Sequence, residues 1–366
     1  MTPKRMAVLG GGNGAFAMAA DFSLQGFEVR IWSRFPEEFN EIRSTRTIKV
    51  TGPIIQGNAH IACVTADIGE AVDGAELICI PLPAFTQESV AECLGPHLQD
   101  GQVIFLSPGT FGTYIMAKYF KEKGYWKDIA LAETGTLPYL TRKVSPSESY
   151  IITRAVHLPT GVFPAKKTEE AIARIRTFFP SVHGIENALS GALMNAGPII
   201  HPPLIVLNTG PIEHSPEFDI HNEGTTPSIR KIISLLDNER IAIREAFDFK
   251  PNHYPLEDYY DKTRPNEWMY PPETPRLLTE SGKWQEKLSY QHRYVTEDMA
   301  YGLAFLVSLG DYIGVPVPIA RSLLTLAGVI NGIDYGKEGR TLESTGLADK
   351  SPGKLKRFLE TGWQTG

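Results

Sequence analysis

The sequence predicts a two-part α/β protein: an N-terminal doubly wound parallel sheet of the Rossmann type, followed by an all-α domain. Three observations carry this. A glycine-rich turn, Gly10-Gly11-Gly12-Asn13-Gly14-Ala15, separates an apolar run from an alanine-rich stretch near the start of the chain. Short apolar segments then recur, each ending in polar, proline or glycine residues before helical sequence resumes. From about Asn187 the apolar residues take helical spacing. The chain has 366 residues, and domains of roughly 100–200 residues give two or three of them. The expected division is 1–186 for the dinucleotide-binding domain and 187–366 for a helical substrate domain.

Taken in order, Met6–Leu9 is a buried first strand, Ala15–Leu24 a helix ended by Gly26, and Glu28–Trp32 a second strand. Glu76–Ile80, Gln102–Leu106 and Ile129–Ala132 are further strands. They end at Pro81-Leu82-Pro83, Ser107-Pro108-Gly109 and Glu133-Thr134-Gly135-Thr136. Ligands of such sheets bind beyond the carboxyl ends of the strands, which makes these three endings expected contact points. Tyr150–Ala155 and Glu169–Phe179 add one more strand and helix. In the second half, Ser228–Phe247 carries Ile229, Ile232, Ile233, Leu236, Ile241 and Ala246 at helical spacing. Tyr254–Pro275, rich in Pro, Tyr, Asp and Glu, reads as an irregular excursion. Within it, Asp258-Tyr259-Tyr260-Asp261 reads as solvated loop rather than as a face for a cationic substrate. Glu297–Ile313 and Pro318–Ile330 are helices again.

The turn fits G-x-G-x-x-G/A. Gly10 permits the tight turn, Gly12 lets the backbone approach a pyrophosphate, and Ala15 is small enough for helix and strand to pack. The helix that follows offers unpaired N–H groups and a positive dipole end to phosphates, which places Asn13 and Gly14 in the cradle. Units that bind NAD carry an Asp or Glu at the end of the second strand for the ribose 2′-OH. Here that strand ends at Ser33-Arg34 instead. A hydroxyl and a guanidinium suit a 2′-phosphate, so NADP(H) is the expected cofactor in preference to NAD(H).

Composition excludes other classes. A net charge of −6 argues against a nucleic-acid partner. No apolar run approaches the length of about 18 residues that a membrane span needs, and the stretch after Lys4-Arg5 contains Asn13 and Asp21 and lacks a cleavage site. Cys63, Cys79 and Cys93 form no C-x-x-C pair and no disulfide framework. Cys79 lies in an apolar run as a buried hydrophobe. A cytoplasmic protein without a metal ion is expected.

Hydride transfer to a carbonyl or imine needs a proton donor and a group to hold a substrate carboxylate. His201, set among prolines and glycine in Asn195-Ala196-Gly197-Pro198-Ile199-Ile200-His201-Pro202-Pro203, suits general acid/base work. In Gln291-His292-Arg293-Tyr294-Val295-Thr296-Glu297-Asp298, the acids open a helix and are equally suited to capping it, and Arg293 is equally suited to a surface ion pair. Spacing alone does not choose among them.

The chain nevertheless resembles the octopine/nopaline (opine) dehydrogenase family over nearly its whole length. The resemblance rests on Val8-Leu9-Gly10-Gly11-Gly12-Asn13-Gly14, Glu133-Thr134, Asn195 with His201-Pro202, Asp237-Asn238-Glu239-Arg240, Arg293-Tyr294 with Glu297-Asp298, and Gly339-Arg340-Thr341-Leu342. Such enzymes join the amino group of an amino acid to a 2-oxo acid and reduce the imine with NAD(P)H. The resemblance implies that His201 is the catalytic histidine, Asp298 its partner and Arg293 the clamp for a substrate carboxylate. Asn195 is implied to support the substrate or the histidine. Of the strand ends, Glu133 is expected on the substrate side and Pro81 on the cofactor side. Ser33-Arg34 departs from members that carry an acid there.

Two other functions fit a similar build. One is a 2-oxo-acid or hydroxyacid reductase of the glycerol-3-phosphate or ketopantoate reductase type. Such enzymes place a catalytic lysine on the first helices of the second domain, and Ser190–His201 contains none. The other is an NADP(H)-responsive regulator, for which a degraded second-domain site is expected, whereas His201, Arg293 and Asp298 are all present. The partners expected are small molecules. Helical second domains of this kind often dimerise, so a homodimer is also an expectation.

Overall fold

The computed structural model describes residues 4–215, 217–261, 263, 269–284 and 288–363. The chain forms two compact units. Unit 1 holds Met1–Ala192, Met269–Thr274 and Leu359–Gly366, and unit 2 holds Leu193–Trp268 and Pro275–Phe358. Among the described residues, no helix is long and apolar enough to cross a membrane.

Unit 1 contains β1 (Arg5–Leu9), β2 (Glu28–Trp32), β3 (Thr47–Thr51), β4 (Gly57–His60), β5 (Cys63–Thr65), β6 (Leu77–Ile80), β7 (Val103–Leu106), β8 (Ala130–Thr134), β9 (Tyr139–Ser145), β10 (Glu148–Arg154), β11 (Leu158–Phe163) and β12 (Val182–Gly184). Its helices are α1 (Asn13–Leu24), α2 (Ile42–Thr45), α3 (Ile68–Val72), α4 (Gln87–Leu94), α5 (Gly112–Glu122), α6 (Thr168–Arg176) and α7 (Ala188–Ala192).

The main sheet has the order β12-β11-β8-β7-β6-β1-β2-β5. From β5 to β8 all neighbours are parallel, in the 3-2-1-4-5-6 order of a dinucleotide-binding sheet. The order reverses between β1 and β6, so the glycine turn and Pro81 both stand at the switch point. The expected parallel sheet stops at β8, because β11 returns antiparallel to it. The strand expected at Tyr150–Ala155 does not join this sheet. It is β10, part of a second, four-stranded sheet of order β4-β3-β10-β9 that the sequence reading missed.

This second sheet covers α1. Every residue of α1 from Gly14 to Phe22 is buried, since the helix packs on β1 and β2 and also on β3, β4, β9 and β10. The single charge in that stretch, Asp21, is 1% exposed. It is matched by a fork from Arg154, whose Nε donates at 2.8 Å, and by the Tyr139 hydroxyl at 2.8 Å. A buried carboxylate without such partners would be strongly unfavourable.

The break between the units falls after Ala192, not after residue 186. Helix α7 stays with unit 1 because Gly161 on β11 and Gly191 on α7 face each other with no room for a side chain. Later residues also return to unit 1. Val156 N–H donates to the Met269 carbonyl at 2.9 Å, and Trp363 packs on Tyr114, Trp126 and Phe163.

Among the described residues, the regular elements of the rest of the chain are all helical: α8 (Gly197–Leu207), α9 (Thr209–His214), α10 (Pro227–Ala246), α11 (Thr274–Ser281), α12 (Arg293–Thr296), a π-helical turn (Asp298–Leu303), α13 (Ala304–Ile313), α14 (Pro318–Asn331), α15 (Tyr335–Glu338), α16 (Leu342–Thr345) and α17 (Pro352–Thr361). The helix expected at Glu297–Ile313 is thus divided by the π turn. The excursion from Tyr254 lies partly outside the described residues (262 and 264–268). In its described part, Asp258 and Tyr259 are buried rather than solvated, and burial raises the Tyr260 phenol to about 12.

The block Asp237–Arg240 ties unit 2 together. Arg240 bonds Asp237 Oδ1 at 2.6 Å and the carbonyls of Leu193, His253 and Tyr254 at 3.0–3.2 Å. Glu239 accepts from the N–H groups of Ile319 and Ala320, at 2.7 and 2.9 Å, and so caps α14. Replacing Glu239 with Ala strands both donors. Each buried unsatisfied donor costs about 1–3 kcal/mol, so urea unfolding of the Glu239→Ala variant should show a stability loss of at least about 1 kcal/mol. A stability equal to wild type would refute this capping role.

Candidate active site

In unit 1 the chain leaves β1 at Gly10, whose φ of +130° is open to glycine and strained for other residues. Its N–H donates to the Trp32 carbonyl at 2.6 Å, which joins the turn to the end of β2. A side chain at Gly10 would press on Leu82, and one at Gly14 would press on Leu137 and on Pro81 from the end of β6. Ala15 is fully buried beneath the turn. Gly12, by contrast, faces open space, and the first N–H groups of α1 have no side-chain cap. An exposed backbone at a helix N-terminus suits a pyrophosphate, so these residues fit a dinucleotide. Asn13 faces away from that role in part, since its Oδ1 accepts from Lys143 N–H at 2.7 Å.

The end of β2 differs from expectation. Arg34 is exposed and has no ion pair among the described residues. Ser33 is buried, and its hydroxyl donates to Glu38 Oε2 and accepts from Phe35 N–H. Its proton is therefore not offered to a phosphate. The sequence placed no acid at the end of β2, yet the 3-10 turn Pro36–Phe39 brings Glu38 back onto the glycine turn. Any side chain at Gly11 would collide with the Glu38 carboxylate. Lys143, from β9, closes the arrangement. Its Nζ donates to the Gly11 carbonyl at 3.0 Å and the Glu38 carbonyl at 3.4 Å, and lies 3.7 Å from the centre of the Phe16 ring. Burial pushes the Lys143 ammonium below its usual range, against the opposing effect of nearby Glu38 and Glu41.

Glu133 also lies elsewhere than expected. It is 0% exposed. Its carboxylate accepts from Phe111 N–H at 2.7 Å, Thr113 N–H at 3.0 Å and Thr113 Oγ1 at 2.6 Å. Those bonds hold the start of α5, and a buried carboxylate occupied in this way is not presented to a substrate.

In unit 2, His201 stands on α8 and Asp298 opens the π turn. Nδ1 of His201 lies 2.6 Å from Asp298 Oδ2, and both side chains are largely buried. Two glycines permit this. A side chain at Gly197 would collide with Asp298 Oδ1, and one at Gly302 would collide with the Pro198 ring. Helix α8 and the π turn therefore interlock at glycine and proline. Local departures from α geometry of this kind are frequent at functional sites. Asn195 accepts from Gly197 N–H at 3.0 Å and so steadies the first turn of α8.

Tyr294 is the neighbour that the sequence reading passed over. Its ring stacks on His201 with centroids 3.6 Å apart and planes 14° from parallel. His292 meets the same ring edge-on at 4.4 Å, and His221 Nε2 lies 3.5 Å from the phenol oxygen. The available signal was its position next to Arg293 in the same block. Arg293 is 55% exposed at its side chain, 5.6 Å from the Tyr294 ring and 3.7 Å from the Glu297 carboxylate. His201, Asp298, Tyr294 and Arg293 thus form one cluster in unit 2.

Comparison with known proteins agrees with both units. The family model for the α-helical domain of NAD/NADP octopine/nopaline dehydrogenase matches residues 184–331, and that for the N-terminus of NAD-dependent glycerol-3-phosphate dehydrogenase matches residues 5–123. An opine dehydrogenase of Arthrobacter sp. (strain 1C) is 30% identical over 98% of this chain and 99% of its own length. The chain belongs to the opine dehydrogenase family. A further relative, vitopine synthase of Allorhizobium ampelinum, is 26% identical over 96% of this chain and 98% of its own. Among solved structures, octopine dehydrogenase with NADH and L-arginine superposes with a TM-score of 0.73 at 18% identity, covering 99% of both chains. Yersinopine dehydrogenase with NADP+ bound gives 0.66 at 14% identity, covering 98% of both. These two share the fold. This opine dehydrogenase family member is accordingly an NAD(P)-dependent oxidoreductase with a Rossmann unit and a helical unit.

The interlock makes a prediction. Gly197→Ala places a methyl group against Asp298 and should pull it away from His201. A misplacement of about 1 Å costs up to about 100-fold in rate, so kcat should fall by at least about tenfold while nucleotide affinity is unchanged. An unaltered kcat would show that the His201–Asp298 contact is dispensable.

Proposed function

We propose that this chain catalyses the NAD(P)H-dependent reductive condensation of an amino acid with a 2-oxo acid such as pyruvate, through an imine, to a secondary amine dicarboxylate. The observation that carries this is the 2.6 Å contact between His201 Nδ1 and Asp298 Oδ2 in a helical unit of this family. A bound nicotinamide nucleotide supplies the hydride. Asp298, as an acceptor-only carboxylate, keeps the proton on Nδ1 and leaves Nε2 with a lone pair. That nitrogen takes a proton from the substrate ammonium and returns one to the hydroxyl that leaves as water when the imine forms. Tyr294 covers one face of the imidazole and limits its rotation. Arg293 holds a substrate carboxylate in a fork, a role its exposed guanidinium permits.

The reductase alternative has less support. Similarity to a glycerol-3-phosphate dehydrogenase spans only 27% of the chain, and the matching family model covers residues 5–123. Of the two residues behind the expected preference for NADP(H), Arg34 still supports it and Ser33 no longer does.

Nucleotide oxidation, followed by absorbance, should require pyruvate and an amino acid together. Oxidation with the oxo acid alone would overturn the proposal in favour of a reductase. His201→Ala should lower kcat by about 100-fold or more, the usual scale for a lost general acid/base. Arg293→Gln should raise the KM for the carboxylate substrates by about tenfold, the scale of one lost charge-assisted bond, and leave nucleotide affinity as it was. A normal KM in that variant would remove Arg293 from the site.

A further inference from the structure

We propose that Glu38 reads the adenosine ribose of the nucleotide and makes this protein bind NAD(H) at least as tightly as NADP(H), reversing the preference that Ser33-Arg34 suggests. The inference rests on the dinucleotide reading of unit 1 and on nothing in unit 2.

Three observations support it. Glu38 is five residues beyond Ser33 in sequence, but in space its carboxylate lies against Gly11 of the glycine turn, which the Gly10 N–H joins to the end of β2. That end of β2, beside the switch point, is where a Rossmann sheet receives the adenosine ribose. Secondly, the carboxylate is held there. Ser33 donates to Oε2, and Lys143 anchors the main chain on both sides through the carbonyls of Gly11 and Glu38. Thirdly, Oε1 has no hydrogen-bond partner among the described residues, and Glu38 is part-exposed, so an acceptor is available for a ribose hydroxyl. A carboxylate in this position accepts from the 2′-OH of NAD(H) and repels the 2′-phosphate of NADP(H). Arg34 points to solvent in the same segment and becomes the dominant charge when Glu38 is neutralised.

The position of Gly11 follows from the same contact. The family pattern leaves the residue between Gly10 and Gly12 unspecified, yet no side chain fits there while Glu38 is in place.

The test is direct binding to the full chain without substrates, read from nicotinamide fluorescence during titration with NADH and with NADPH. Wild type should bind NADH as tightly as NADPH or more tightly. Glu38→Gln should weaken NADH by about tenfold, the scale of a lost bond to a charged acceptor, and tighten NADPH, and Arg34→Gln added to that variant should reverse the gain in NADPH. An unchanged ratio in Glu38→Gln, with both nucleotides still bound, would overturn the proposal while leaving the dinucleotide reading intact. Failure of wild type to bind either nucleotide would overturn both. Should Glu38→Gln fail to fold, Arg34→Gln alone decides: NADH affinity within about twofold of wild type supports Glu38 as the reader, and an approximately tenfold loss, of the size expected for a lost charged contact, refutes it.

Discussion

A helix with no solvent face has to be covered twice, and unit 1 is organised around that constraint. Helix α1 is buried from Gly14 to Phe22, so the parallel sheet on one side is not enough. The four-stranded sheet supplies the second cover, and Asp21 with Arg154 and Tyr139 fixes its position. Because β9 lies on α1, Lys143 reaches the carbonyl of Gly11 and Asn13 is engaged by the Lys143 N–H. The geometry of the nucleotide turn therefore depends on strands far away in sequence as well as on its own glycines.

Unit 2 meets a different constraint. Two polar side chains must approach each other inside an apolar helical body, which requires their helices to come closer than ordinary side chains permit. Gly197 and Gly302 allow this, and Pro198 fills the space beside Gly302. The π turn sets Asp298 at the start of an irregular segment, so it can face His201 without lengthening α13. Tyr294 then stacks on the imidazole. The result is a histidine fixed on one nitrogen and covered on one face, with Nε2 left for chemistry.

Blocks that carry the family resemblance alike have different physical roles. Glu133-Thr134 and Asp237–Arg240 belong to the resemblance as much as His201 does, yet their charged groups are consumed by helix ends and by main-chain carbonyls. Burial separates the two kinds. A carboxylate whose oxygens are already saturated by N–H donors contributes stability, whereas Glu38 and the His201–Asp298 pair keep unsaturated atoms near exposed surface.

The amino-acid sequence by itself determined the glycine turn, the parallel strands β1, β2, β6, β7 and β8, the helical second half and the candidacy of His201, whereas Asp298 and Arg293 stood out only through the family resemblance. The former depend on local spacing and on residue chemistry, both of which are readable along the chain; the order of the strands and the edge strand β5 are not. The all-round apolar character of Ala15–Leu24 also carried a signal for the second sheet, since an ordinary surface helix keeps a polar stripe. Only the tertiary structure decided the rest. The antiparallel return of β11, the break after Ala192, the burial of Glu133, the stack of Tyr294 on His201 and the arrival of Glu38 over Gly11 all bring together residues from separate elements or beyond a turn. Such contacts are set by packing and by the saturation of buried polar groups, and neither leaves a fixed interval in the sequence.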